Sequence, residues 1–182
     1  MSRRSELASA VATIKAKRNG GVPRVGQVEL TDKTLYLNVA VKGQAGIVNL
    51  VDVNTRREVG ITNIDGNKLN AGRDYIIDGV RVLWGQDVNL KAQNWGTTKS
   101  LLPAEFLGAE FRIKQGGTVL IDMPITDLTI DPFVAFRSLS TSPLIRSNME
   151  FEMEIEYPKG VSVPVDKDYN VRFEFRAHQA KR

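Results

Sequence analysis

The chain has 182 residues, 42% of them apolar and 25% charged, which suits one domain plus an appended segment and excludes a disordered or fibrous chain. It has no cysteine, which excludes a disulfide framework, a thiolate metal site and a thiol nucleophile, and no apolar run approaches the roughly 20 residues of a membrane-spanning helix. The formal net charge of +4 is too small and too unevenly placed to suggest a folded face built to read nucleic acid.

In chain order, residues 1–24 come first, a basic arm. They carry Arg3, Arg4, Lys15, Lys17, Arg18 and Arg24 against Glu6, a net of +5. Met1 to Val25 begins basic but lacks the apolar stretch of a secretion signal, so the protein is expected to be made in the cytoplasm and not exported. Within the arm, SELASAVATIKAKR at 5–18 is rich in alanine and sets Leu7, Val11 and Ile14 at helical spacing, which predicts a short helix with a narrow apolar stripe. Such a helix is marginal alone and orders on contact with a neighbour. Asn19-Gly20-Gly21 and Pro23 end it, so the body is taken as 25–182.

From Val25 onward the dominant period is two. Leu35, Leu37, Val39 and Val41 alternate with Tyr36, Asn38 and Ala40, the pattern of a strand with one face in a core. Gly43 to Gly46 reads as a turn, Ile47 to Val53 as a strand, and Arg56 to Thr62 as an extended run into a second turn at Asn63-Ile64-Asp65-Gly66-Asn67. Further strands are predicted at 74–78, 80–84, 109–114 and 117–123, divided by Asp78-Gly79, Gly85 and Gly116-Gly117. Leu101 to Leu107 offers a helical turn that Pro103 keeps short.

Toward the end of the chain, Met149, Phe151, Met153, Ile155 and Tyr157 alternate with Glu150, Glu152, Glu154 and Glu156. Residues 169–176 repeat the pattern, with Val171, Phe173 and Phe175 set against Arg172, Glu174 and Arg176. The two segments are expected to pair as antiparallel neighbours across 158–168, with the arginines among the glutamates. Residues 171–182 are net +3, which leaves the intervening 25–170 at −4. Eight or nine short strands with glycine and proline turns predict a mostly β, antiparallel sandwich. A jelly roll accounts for the length and places the long segments 86–108 and 124–147 at its ends; an immunoglobulin-like sandwich is the alternative.

Chemistry is sparse. His178 stands close to the end of the sequence, where a frayed terminus and no indicated partner exclude a triad or a metal site. Asp122, Asp127 and Asp131 sit near Pro124 and Pro132 and read as turn or solvated carboxylates rather than an acid–base or cation site. Aligning Gly66 with the glycine of a calcium loop puts Ile61 and Gly72 at ligand positions, so that loop fails and a hairpin turn is expected. Gly43-Gln44-Ala45-Gly46 lacks the lysine of a phosphate loop, and no serine lies in a nucleophile elbow. Trp84, Trp95, Tyr75 and Phe106 are expected to pack at the sandwich ends rather than form a stacking surface for sugars or bases. The glutamate row is expected to be a solvated face. The reading is therefore of a non-enzyme with no cofactor and no metal.

A basic arm, Ser2 to Arg24, on a strand-rich body, Val25 to Ala177, resembles the single jelly-roll coat proteins of small, tailless icosahedral viruses and phages. The resemblance is architectural. It implies a virion protein that self-assembles into a large homo-oligomer, alongside other virion proteins. It also implies that Arg3, Arg4, Lys15, Lys17 and Arg18 make nonspecific contact with nucleic acid or membrane, and that Leu7, Val11 and Ile14 dock on a neighbouring subunit. The arm is less arginine-dense than many genome-packaging arms, so lipid or subunit contact stands beside genome contact. Two other classes remain: a single-strand-binding β-barrel, which the acidic body disfavours, and a carbohydrate-binding sandwich, which the missing secretion signal disfavours.

Overall fold

The computed structural model describes residues 29–96, 102–128 and 135–181, together with Ala12. Among these the chain forms strands β1 (Glu29–Ala40), β2 (Ile47–Asn49), β3 (Arg73–Gly85), β4 (Glu110–Gln115) and β5 (Thr118–Pro124), then β6 (Arg137–Ser138), β7 (Leu144–Ile145), β8 (Phe151–Glu156) and β9 (Asn170–Lys181). Two helical turns, α1 (Ala104–Leu107) and α2 (Ile125–Leu128), flank the β4–β5 pair. One sheet has the order β1-β9-β3-β6, with β7 also on β3, and the other the order β2-β8-β4-β5. All the described pairings are antiparallel.

The inward faces of the two sheets meet in a sandwich core. Leu35 and Leu37 of β1, Val80 and Val82 of β3, and Val171, Phe173 and Phe175 of β9 come from one side, and Phe111, Ile113, Phe151, Met153 and Ile155 from the other. Phe111 makes the contact direct, its ring stacked 5.0 Å from Phe173 and 5.8 Å from Phe175. Each such side chain contributes about 1.5–3 kcal/mol on full burial, so the alternating strands hold the fold.

Two glycine sites explain local geometry. Gly116 and Gly117 both take positive φ, 57° and 76°, the requirement for the tight two-residue turn that joins β4 to β5 in register. At Asp78-Gly79 the expected turn is instead a bulge inside one continuous strand. Gly79 is needed there for close approach, since a Cβ would lie 3.1 Å from that of Phe136.

The expected pairing of 149–157 with 169–176 is wrong. β8 lies between β2 and β4, and β9 between β1 and β3, so the two face each other across the core. Both are central strands, and alternation marks a buried face without naming the neighbour. The strand expected at 47–53 stops at Asn49, and 56–62 forms only isolated bridges to Leu37 and within itself. That stretch lies along the outer edge of β1. Asn38 donates its backbone N–H to Ile61 O at 2.8 Å, while the Asn63 amide accepts from Tyr36 N–H and donates to Thr34 O. A side chain thus substitutes for a strand and covers an edge that would otherwise invite pairing. The Asn63–Asn67 turn accordingly belongs to this edge cover rather than to a hairpin. Segment 124–147 is not a loop throughout, because it supplies β6 and β7 to the first sheet.

Candidate functional site: the outer faces of the two sheets

Because Val171, Phe173, Phe175 and Ala177 point into the core, Arg172, Glu174, Arg176 and His178 point outward along the centre of the first sheet. Glu174 joins two arginines. Its Oε1 accepts from Arg172 Nε at 2.5 Å and its Oε2 from Arg81 Nε at 2.6 Å. Arg172 lies 3.9 Å over the Tyr36 ring and Arg81 4.4 Å over Phe136, so both cations also meet an aromatic face. Arg176 Nε donates to Asp78 Oδ1 at 2.6 Å, and the other Asp78 oxygen lies 3.0 Å from His178 Nε2. His178 Nδ1 is 3.4 Å from Asp32. A carboxylate only accepts, so the nitrogen facing Asp78 carries a hydrogen.

On the second sheet the outward residues are mainly acidic. Arg112 is ringed by Glu110 at 2.5 Å, Asp122 at 3.1 Å, Glu154 at 3.6 Å and, closest, Glu156. The hydrogen bond to Glu156, with the charges of Asp122 and Glu156, outweighs burial and raises the guanidinium pKa above its ordinary value. Lys114 Nζ sits 2.5 Å from Glu154 Oε1; that oxygen has no aligned hydrogen bond among the described residues, so the contact is an ion pair. The expectation of a solvated glutamate row fails at Glu154, whose side chain is only 7% exposed, because β8 is central and β4 brings two cations across it.

The end loops are pinned by polar contacts. Tyr157 donates its hydroxyl to Gln44 Oε1 at 2.8 Å, and burial raises its pKa; burial raises that of Tyr75 too, against the charge of Arg73. Raised values mean that the fold prefers neutral phenols. Stability is therefore complete below about pH 10 and falls as pH climbs past it. The melting temperature is expected to hold up to about pH 10 and to drop above it, and Tyr157→Phe to flatten that drop at a cost of about 1 kcal/mol near neutrality. An unchanged alkaline slope in the variant would contradict this assignment.

The arm residues Arg3, Arg4, Lys15, Lys17, Arg18, Leu7, Val11 and Ile14 lie outside the described residues, as does Asp131. Asp122 pairs with Arg112, and Asp127 with Arg137 at 3.3 Å. Tyr75 and Phe106 are buried in the core, while Trp84, nearer the other end of β3, is half-buried against it and packs on Gly96; these rings form no common stacking surface. His178 is not frayed. It lies within β9, buried and between two carboxylates, and the signal that finds it is the alternation of 171–176 carried two residues further. Among the described residues no group of three or more His, Cys, Asp or Glu is placed to hold a metal ion. Among the described residues, both outer faces carry charged side chains paired with one another. No family model matches the chain, and comparison with curated proteins and with solved structures finds no match to it.

Proposed function

We propose that this chain is a coat subunit of a self-assembling virion shell: a single jelly roll that tiles, with a basic N-terminal arm reaching to genome, membrane or neighbouring subunits. The observation that carries the reading is the nesting of the strand pairs. β4 pairs with β5 at the centre, β3 with β6 and β7 outside it, β2 with β8 outside that, and β1 with β9 outermost. A ribbon folded at Gly116-Gly117 and rolled so that alternate pairs fall in alternate sheets has this order. That order supports the jelly-roll reading, a fold used by viral capsid and lectin domains and by cupins.

Among those uses, the charge distribution favours the coat. Positive charge is concentrated at 1–24 and the segment 25–170 is net negative, which separates a tiling body from an appendage that meets a polyanion or an anionic surface. Such a protein is a structural component made in the host cytoplasm and used in the particle, beside other virion proteins. The test is electron microscopy of the concentrated, purified chain with and without residues 1–24. Closed particles of uniform size are expected, with truncation changing their size or contents. Single chains at every concentration, with or without added nucleic acid, would overturn the proposal.

A further inference from the structure

The two outer faces are built from the same kind of ion pair stacked in opposite order. On the first sheet the carboxylates lie underneath. Glu174 is 7% exposed below Arg81 at 29% and Arg172 at 19%, and Asp78 is 12% exposed below Arg176 at 37%. On the second sheet the guanidinium of Arg112, 20% exposed, lies below Glu110, Asp122 and Glu156 at 53%, 54% and 42%. An approaching partner therefore meets mainly guanidinium on one face and mainly carboxylate on the other. Two side chains run against the trend, Lys114 over Glu154 and the exposed Asp32 beside His178 in an end row. Counted without regard to depth, the described residues of the second face still set five carboxylates, Glu152 and Glu154 with the three above, against Arg112 and Lys114, a net of −3.

We propose that these faces are the two halves of one contact, the guanidinium face of one copy seating on the carboxylate face of the next. Charge complementarity identifies the occupant as a second copy, because one chain carries both signs on opposite sides of its sandwich and cannot bring its own two faces together. Their widths agree. Each face is four strands across, about 14 Å between its outermost strands. Apolar groups sit among both sets of charges. Tyr36 and Phe136 lie under the arginines, and Ile47 and Val119, 63% and 50% exposed, flank the carboxylate face on β2 and β5.

Two different patches meet in such a contact, so it repeats head to tail, as a ring where the rotation closes and as a filament where it does not. A single pair is weak. β4 and β8 have six residues each, about 20 Å of strand, so the footprint is about 400 Å² per copy, below the roughly 800 Å² of a standard stable interface. Free chains are therefore expected to associate only at high concentration and low salt, and repeated contacts around a closed assembly supply the rest. The contact rests on the coat reading for its use in a shell, whereas the association itself is measurable on free chains.

The test uses the full-length chain in two charge variants at exposed positions: Thr34→Glu with Ala40→Glu on the guanidinium face, and Glu110→Lys with Asp122→Lys on the carboxylate face. Sedimentation at low salt reads association, and circular dichroism checks the fold. Wild type is expected to self-associate and each variant alone to do so about tenfold more weakly. An equal mixture of the two variants should recover, because the two altered faces fit each other and so do the two unaltered ones. Added sodium chloride should weaken the association of wild type. Wild type that stays monomeric at the highest concentration reached or associates regardless of salt, variants that match it, or a mixture no stronger than its parts overturns the proposal. So does loss of association on changing Arg3, Arg4, Lys15, Lys17 and Arg18 to glutamine, which would make the N-terminal arm the occupant of the carboxylate face. Rescue by the mixture without closed particles sinks the coat reading alone, and particles formed equally well by either variant sink this contact alone.

Discussion

Phe111→Ala is expected to lower the unfolding free energy by about 3–5 kcal/mol, the range for deleting a buried phenylalanine. The ring is completely buried and stacked against both Phe173 and Phe175, so it is the point where β4 of one sheet touches β9 of the other. Truncation removes apolar burial and leaves a cavity between two sheets whose backbones are tied into their own ladders and cannot collapse onto it. With a total stability of roughly 5–15 kcal/mol for a domain of this kind, the loss is a large fraction of what holds the protein folded. Urea titration should show the midpoint falling with its slope unchanged. A loss under about 1 kcal/mol would mean that the sheets are not held together there.

The second large effect is expected at Glu174. Its side chain is 7% exposed and binds one guanidinium at each oxygen, so Glu174→Leu leaves Arg81 and Arg172 facing each other, with Arg176 nearby. Breaking a buried pair costs about 3–5 kcal/mol. The arginines are partly open to solvent, 29% and 19% exposed, and screening reduces the expected loss to about 2–3 kcal/mol. Salt provides the diagnostic: added sodium chloride should recover part of the loss in the variant, because it screens the arginines from one another. Glu174→Gln, which keeps an acceptor, should lose less. Equal stability of wild type and Glu174→Leu at low salt would show that the row is ornamental to folding.

Much of the fold was legible in the sequence because a half-buried strand writes its inward face every second residue. Phe151, Met153 and Ile155, like Val171, Phe173 and Phe175, were identified as core positions on that ground, and all are buried. Their neighbours were not legible. The alternation in β8 and β9 is the same whether the two lie side by side or face to face, although the eleven-residue connection at 158–168 is longer than the roughly 2–5 residues of an ordinary hairpin and was a usable hint. The edge cover at 56–63 carried no strand signature because Asn63 does part of a strand's hydrogen bonding with its side chain. His178 is obscured for a different reason: it stands near the end of the sequence, where fraying is the ordinary expectation, although Arg172, Glu174, Arg176 and His178 continue one face without a break. The carboxylates that surround Arg112 come from β4, β5 and β8, and no spacing in the sequence reports that convergence.

The outermost pair of strands sets a clock on synthesis. β4 and β5 are joined by two residues and can form their hairpin in about 1–10 μs, whereas Asn38 of β1 meets Arg172 of β9 from 134 positions away. At about 5–20 residues per second, a ribosome makes β9 on the order of ten seconds after β1. Throughout that interval Leu35 and Leu37 have no sheet to enter, and the nascent chain carries an unsatisfied strand that can stick to its neighbours on the same message. Whatever attends the protein during translation has β1 to shield for longest, since β2 meets its partner β8 earlier.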